Sequence, residues 1–151
     1  HHLKYKNNIG LGNSLAIHLA ETKIPFKHKI DLVVPVPLSR KRLAERGYNQ
    51  AAMLALPLSL ILMKKYQPNA LKKVVETKTQ VGLNIAERNI NMKNAFQAFP
   101  KFAAGKSILL VDDVMTTGAT LNDCSRALIE AGAVEVNALT LARTRFKDKI
   151  N

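Results

Sequence analysis

Cysteine and tryptophan are nearly absent from this 151-residue chain, which has one cysteine and no tryptophan. The single Cys124 excludes an intramolecular disulfide and a zinc site built from several thiolates, and it suits a reducing compartment. Long apolar runs are missing too, because Pro57 and Ser59 interrupt the run over 54–63 and a membrane span needs roughly 20 apolar residues. No secretory signal pattern opens the chain. The sequence therefore predicts a cytoplasmic protein without membrane insertion.

Linker composition is also lacking, since serine, glycine and proline form no extended tract. Apolar residues make up 47% of the chain and charged residues 23%, which is typical of a soluble globular protein. A chain of this length is expected to bury roughly two thirds of its unfolded surface around one core. We therefore expect a single domain over residues 1–151.

Acidic residues are scarce, with 11 against 23 lysines and arginines, for a net charge of +12. The excess is clustered over 40–46, 64–93 and 143–149. A positive field of this kind favours polyanions, whether nucleic acid, an acidic partner or a ligand with several phosphates. Solvated lysine faces that keep a protein soluble are the alternative explanation.

Apolar periodicity predicts helices that alternate with short strands. Helices are expected over 13–22, over 49–65 with a kink at Pro57, and over 121–131 with Gly132 as the C-cap. Strands are expected over 31–37, 73–76, 108–111 and 134–141. A long loop is expected over 77–96. This order predicts an α/β fold with a mainly parallel, twisted sheet that helices cover on both faces. Ligands of such sheets bind beyond the carboxyl ends of the strands.

The most informative segment is 108–120, in which an apolar strand leads to Asp112 and Asp113 and then to a Thr-Thr-Gly-Ala-Thr turn before a helix. Paired carboxylates accept hydrogen bonds from vicinal sugar hydroxyls and supply oxygen ligands to hydrated Mg²⁺. Free amides at a helix N-terminus, with threonine hydroxyls beside them, form an anion cradle. In the alternative interpretation, Asp113 and Thr120 merely cap the helix.

This segment resembles the motif with which type I phosphoribosyltransferases bind 5-phosphoribosyl-1-pyrophosphate (PRPP). Residues 34–50, with 79–83 and 87–96, resemble the ComF/GntX-like family of that fold. The resemblance implies a type I phosphoribosyltransferase fold with a flexible hood loop. It implies these roles: Asp112, Asp113 and Arg88 as catalytic residues, Mg²⁺ at Asp112 and Asp113, the 5-phosphate at Thr116, Thr117, Gly118, Ala119 and Thr120, and the pyrophosphate at Ser39, Arg40, Arg46 and Asn49.

Two of these segments also have a physical interpretation of their own. The basic cluster over 40–46 follows the first strand, at the same sheet edge as the phosphate turn, where guanidinium groups can neutralise a pyrophosphate. Asn49 has a structural alternative as the N-cap of the next helix. In the long loop, Gln80, Arg88 and Asn91 are candidates to close over the ligand and exclude water.

The family resemblance implies a PRPP-binding protein that supports DNA uptake in natural competence, as a phosphoribosyltransferase with an unknown acceptor. Its implied partners are PRPP, single-stranded DNA, competence proteins such as a DNA-uptake helicase, and a second copy of the chain. Members often carry a cysteine-rich zinc module, which this chain lacks. The alternatives are a non-catalytic PRPP sensor and a module that binds single-stranded DNA or a protein partner. With three Tyr, five Phe and no Trp, the composition argues mildly against base stacking.

Overall fold

The structure is a computed structural model that describes residues 14, 16, 17, 27–74 and 95–143. The helix expected over 13–22 is represented by Ser14, Ala16 and Ile17, which are helical, and Ala16 is fully buried. The rest of that helix lies outside the described residues, as does nearly all of the long loop expected over 77–96.

A four-stranded parallel sheet forms the centre of the molecule, in the order β2-β1-β5-β6. Its strands are β1 (Leu32–Pro35), β2 (Lys65–Tyr66), β5 (Ser107–Met115) and β6 (Glu135–Arg143), while β3 (Leu71–Lys73) and β4 (Phe96–Ala98) pair as a separate antiparallel hairpin. The stretches over which β1 and β5 pair, Leu32–Pro35 and 108–111, are apolar throughout, and Val33, Val34, Leu109 and Leu110 are fully buried. Such runs are expected where helices cover both faces of a parallel sheet.

Within 27–74 and 95–143, four helices accompany the sheet: α1 (Arg40–Arg46), α2 (Gln50–Ile61), α3 (Pro100–Ala103) and α4 (Ala119–Glu130), with short 3-10 turns at Lys27–Lys29 and Pro68–Ala70. The core has two parts, one on each face of the sheet. Leu128 of α4 packs in the cluster of Val34 and Leu110, and Leu58 of α2 packs in the cluster of Val33 and Leu109. The α/β class and the parallel sheet are confirmed.

Several element boundaries differ from the predictions. The strand expected over 73–76 is found at Leu71–Lys73, and β2, α3 and the helix over residues 40–46 were not predicted. The helix expected over 49–65 ends at Ile61 and continues through Pro57. A proline removes one backbone donor, and the burial of Leu54, Ala55 and Leu58 on both sides of it holds the two halves on one sheet face.

Helix α2 ends in a turn whose left-handed residue is Met63 (φ 54°). The amide of Lys64 donates to the Ser59 carbonyl at 2.8 Å, and the amide of Met63 donates to the Leu60 carbonyl at 3.1 Å. These are the two bonds of a Schellman motif. Helix α4 ends in the same motif, with Gly132 (φ 92°) at the left-handed position. Glycine is the residue that this conformation favours, so Met63 is strained where Gly132 is not.

We predict that Met63→Gly stabilises the protein by about 0.5–1 kcal/mol and raises Tm by about 2 °C. The Met63 side chain is 90% exposed, so its loss removes little packing. Differential scanning calorimetry measures the change.

Gly132→Ala is the opposing control. A Cβ at that position would lie 3.3 Å from Cα and Cβ of Ala104, besides the strain of the backbone, so a loss of about 1–2 kcal/mol is expected. Equal Tm changes in the two variants would contradict the assignment of strain to Met63.

Candidate ligand site at the carboxyl ends of the strands

Strand β5 extends beyond the end of β1, and the acidic pair lies in this extension. The pairing of β1 with β5 stops at Pro35 and Val111, while the pairing of β5 with β6 continues from Asp112 opposite Thr140 to Met115. The strand is therefore longer than the predicted 108–111, and the carboxylates lie within it. From Asp112 onward, β5 is paired with β6, and its pairing with β1 has ended.

The two carboxylates are half-buried, and each uses one oxygen on the following backbone amide. Oδ1 of Asp112 accepts from the amide of Asp113 at 2.9 Å, and Oδ1 of Asp113 accepts from the amide of Val114 at 2.9 Å. Burial raises the pKa of Asp112 to about 6, and the Asp113 carboxylate adds to the rise against the backbone hydrogen bond that lowers it. The pair therefore favours a cation or a hydrogen-bond donor that relieves the crowded negative charge.

Asp112 and Asp113 fit Mg²⁺ only if other groups complete its coordination. No cluster of three or more histidine, cysteine or acidic residues that would hold a metal occurs among the residues that the structure describes. Asp112 and Asp113 supply two carboxylates, so a Mg²⁺ ion here takes its remaining oxygens from water or from a bound ligand.

The turn between β5 and α4 is open and has no side-chain cap. Gly118 is the N-cap in the left-handed conformation (φ 80°), and no side chain accepts from the first turn of the helix at that position. The nearest atom to a Cβ built on Gly118 is the Met115 sulfur at 3.8 Å, so space remains. The alternative in which Asp113 and Thr120 cap the helix is not what the structure shows. A helix start without a side-chain cap at its N-cap residue suits an anion.

The threonines of this turn line its surface. Thr116, Thr117 and Thr120 are exposed, and Oγ1 of Thr117 accepts from the amide of Ala119 at a long 3.4 Å. Hydroxyl donors and helix amides therefore face the same solvent-filled space, which is the arrangement that a monophosphate requires.

The segment after β1 leaves the sheet at the same edge. The amide of Val36 donates to Val111 at 2.8 Å, directly beside Asp112. Ser39 is the N-cap of α1, where its hydroxyl accepts from the amide of Arg42 at 3.3 Å. Arg40 stands exposed at the first position of that helix.

Asn49 is the N-cap of α2, the structural alternative to a role in pyrophosphate binding. It caps α2 by accepting from the amide of Ala51 at 3.0 Å, and its side-chain nitrogen donates to the Val36 carbonyl at 3.0 Å. Arg46 donates to Gln50 on the protein surface at 3.2 Å. These residues position the segment; their role toward pyrophosphate stays a prediction.

Sequence reasoning missed Lys73, whereas Arg42 belongs to the predicted basic cluster over 40–46. Lys73 is half-buried, with its ammonium 5.4 Å from the centroid of the Phe96 ring. Burial lowers the pKa of Lys73, and the positive charge of Arg42 lowers it further against the opposing effects of Cys124 and Asp123. No sequence signal marks Lys73, because its surroundings depend on the pairing of β3 with β4.

Some predicted residues lie outside the described part of the chain or outside the site. Arg88, Gln80 and Asn91 belong to the first group. Cys124 is fully buried, as expected for a core residue, and burial raises the pKa of its thiol.

Within the described ranges, no helix is long and apolar enough to cross a membrane.

Asp112→Asn tests the burial of the acidic pair in the ligand-free protein. Folding raises the pKa of the Asp112 carboxyl from 3.8 to about 6. The stability that this shift contributes is therefore fully present below pH 4 and is lost as the pH rises through 6. Asparagine resembles the uncharged acid at every pH. We predict that the variant is more stable than wild type by about 1–2 kcal/mol at pH 8, after allowance for solvent screening, and that the gain vanishes near pH 4. Thermal melts across this range measure it, and a difference independent of pH would contradict it.

Comparison with known proteins agrees with this geometry. The family described as "Phosphoribosyl transferase domain" matches residues 8–149. The chain is 38% identical to competence protein F of Haemophilus influenzae over 93% of its length, 37% identical to the DNA utilization protein YhgH of Escherichia coli over 76%, and 36% identical to competence protein ComFC of Bacillus subtilis over 80%. It covers 64%, 50% and 47% of these relatives, so it corresponds to part of each. The resemblance to the ComF family is confirmed.

Solved structures show the same fold. A glutamine PRPP amidotransferase from B. subtilis superposes with a TM-score of 0.61 at 22% identity, over 86% of this chain and 26% of that one. A purine phosphoribosyltransferase from Pyrococcus horikoshii superposes with a TM-score of 0.51 at 21% identity, over 86% of this chain and 70% of that one. At these identities, the likeness concerns the fold alone.

Proposed function

This chain belongs to the phosphoribosyl transferase domain family, and from that premise we propose that it binds PRPP at the carboxyl ends of β5 and β1. The observation that carries the proposal is the continuous order along β5: a half-buried carboxylate pair, then an open threonine turn whose helix lacks a side-chain cap. Acceptors for a sugar and donors for a phosphate are thereby fixed a few residues apart.

Each part of the site takes one part of the ligand. The first-turn amides of α4 and the hydroxyls of Thr116, Thr117 and Thr120 bind the 5-phosphate, with Gly118 and Ala119 forming the turn. The free carboxylate oxygens of Asp112 and Asp113 accept from the ribose hydroxyls and share a Mg²⁺ ion with the ligand. When bound, Mg²⁺ supplies positive charge beside the pyrophosphate.

The pyrophosphate requires cations, and we assign Arg42 of α1 and the half-buried Lys73 of β3 to it, because the positive charge of Arg42 lowers the pKa of Lys73. Ser39 and Asn49 hold the segment after β1 through their capping bonds, and Arg40 and Arg46 add exposed positive charge along α1. A bound pyrophosphate would offset the repulsion between these two positive charges. Arg88 completes the catalytic set of Asp112, Asp113 and Arg88 in this proposal.

As an enzyme, the protein displaces pyrophosphate from C1 of the ribose with an acceptor supplied from outside. Asp113 orders the sugar, so that the reacting carbon is presented in one orientation. The second candidate is a PRPP sensor that binds without transfer, and the same site serves it. Pyrophosphate release in the presence of purines, pyrimidines or ammonia separates the two, since a sensor binds PRPP and releases none.

The cellular role that we propose is DNA uptake and use. The relatives named competence protein F, competence protein ComFC and DNA utilization protein YhgH carry those roles in their names, and this chain shares most of its length with them. We place this work in the cytoplasm, where PRPP is made and used.

Calorimetric titration with PRPP and Mg²⁺ tests the site directly. Asp113→Asn removes a charged acceptor for ribose hydroxyls, and a loss of about 10–100-fold in affinity is expected. Glu135→Gln is the matched control, because Glu135 opens β6 opposite Ser107, at the amino end of the strands. It removes one carboxylate and should bind as wild type; equal losses in both variants would sink the proposal.

The assignment of the pyrophosphate subsite makes a separate prediction. Arg42→Gln and Lys73→Gln should each weaken PRPP binding by about tenfold, since each removes a charged hydrogen-bond donor, and should leave ribose 5-phosphate binding unchanged. Lys41→Gln, exposed on the same helix, is the control for loss of charge alone. Competition titrations with the two ligands measure the difference. Parallel losses for both ligands would place these cations elsewhere in the site.

A further inference from the structure

The solvent side of helix α2 is as apolar as its buried side. No charged residue occurs between Gly47 and Met63, although 23% of the chain is charged. Leu54 and Leu58 on one side of the helix pack in the core cluster with Val33. A helix that is apolar all round is expected to be covered all round. The sheet covers one side of α2, and the opposite side is open to a partner.

Four apolar side chains make up this open side, and we call them the α2 stripe: Met53, Leu56, Leu60 and Met63. Met53 is half-buried, and the other three are 46%, 70% and 90% exposed in chain order. Their spacing of three, four and three residues places them along one face of the helix and its C-terminal turn. Contiguous apolar patches on a soluble protein mark interaction sites.

Met63 is placed to serve a contact outside the single chain. Its backbone has the left-handed conformation that favours glycine (φ 54°), and its side chain is the most exposed of the stripe. The side chain therefore adds little packing to the isolated chain, while the backbone strain costs stability. Strain of this kind is found at functional positions. Methionine also adapts its shape readily to an opposing surface.

The α2 stripe is symmetric along the helix. Its order is Met, Leu, Leu, Met, and the two halves are equally far from Leu58 in the sequence. A second copy packed antiparallel on the stripe places its Met63 opposite Met53. It likewise places its Leu60 opposite Leu56, and the same two pairs recur in the other half. A two-fold dimer requires such a patch, which contacts the same patch of the other copy.

Electrostatics also favour a meeting of two copies at this face. Copies with a net charge of +12 repel each other, so their interface needs a surface without charge. Lys64 directly follows the stripe, and in the antiparallel register it lies opposite Ala52 of the second copy. The two Lys64 residues are then about 18 Å apart along the helix axis, at about 1.5 Å per residue. This distance exceeds the Debye length of about 8 Å at physiological salt, so their repulsion is weak.

We propose that the α2 stripe is the interface of a two-fold symmetric homodimer in which the two α2 helices pack antiparallel. An acidic amphipathic helix from another protein would meet Lys64 and Lys65 at one end of the stripe and would not need the symmetry about Leu58. A patch of four side chains is smaller than the about 800 Å² that each partner buries in a standard interface. The dimer is therefore weak, with a dissociation constant of about 10–100 μM.

Sedimentation equilibrium of the full chain between about 1 and 300 μM tests the dimer. The wild type should change from monomer to dimer over this range. Added sodium chloride should strengthen the dimer, because salt screens the repulsion between two copies of charge +12. Contact with an acidic partner would have the opposite salt dependence.

Leu60→Gln removes an exposed apolar side chain from the stripe. Because two-fold symmetry removes the contact twice, the dissociation constant should rise at least about tenfold. Ile129→Gln is the matched control, since Ile129 is 49% exposed on α4, which packs on the other face of the sheet. It should dimerise as wild type does. Met63→Gly separates binding from folding, because it should weaken the dimer while it raises Tm.

Cysteine cross-linking tests the antiparallel register. Cys124 is fully buried, so a new surface cysteine is the one that reacts. Chains with Leu56→Cys mixed with chains with Leu60→Cys should form disulfide-linked dimers faster than either variant alone, because positions 56 and 60 face each other. Faster cross-linking of each variant with itself than with the other would overturn the antiparallel arrangement.

Three other outcomes overturn the proposal. These are a wild type that stays monomeric at the highest concentration, equal changes in Leu60→Gln and Ile129→Gln, and a dimer that weakens as salt rises. The PRPP proposal is tested separately, since the stripe lies on the opposite sheet face from α4 and its phosphate turn. Leu60→Gln should bind PRPP as wild type does, and Asp113→Asn should dimerise as wild type does.

Discussion

The pairing of β5 with β6 continues over Asp112 to Met115 after β1 has ended at Pro35, and the candidate ligand site depends on this difference in strand length. A carboxylate pair inside a fully paired sheet would be buried and held neutral. A pair on a free loop would be fully hydrated and without fixed direction. With β6 on one side and open space on the other, Asp112 and Asp113 are held in place by the backbone and remain accessible to a ligand.

The elements around this edge are held by capping bonds more than by apolar contacts. Helix α1 has no buried residue, and its attachment depends on the Ser39 cap and on Asn49, which joins the start of α2 to the Val36 carbonyl. A segment held in this way can adjust to a bound anion without disturbing the core. The helix α4, in contrast, packs Leu121, Cys124 and Leu128 into the core, so the phosphate turn has a rigid base.

The sequence alone was sufficient for the fold class and for an acidic pair followed by an open threonine turn, because these depend on local patterns: an apolar run, adjacent acids and small hydroxyl residues before a helix. The length of β5 was underestimated, since the pairing of Asp112 with β6 follows from a neighbouring strand and not from propensity. The helix at residues 40–46 was missed because four cations within seven residues obscure its Ser39 cap. The contact between Lys73 and the Phe96 ring arises from the pairing of distant strands, and no pattern along the chain records it.

Val74 and Ala95, where the chain leaves and re-enters the described region, are joined by a hydrogen bond of 2.8 Å, and the Ala95 amide belongs to a further bond of 3.1 Å to Asp123 on α4. The two bonds therefore fix the points at which the chain leaves and re-enters this part of the fold. Since closing a chain segment costs only about 0.6 kcal/mol more for each doubling of its length, the framework at these two points tolerates changes in the number of residues between them.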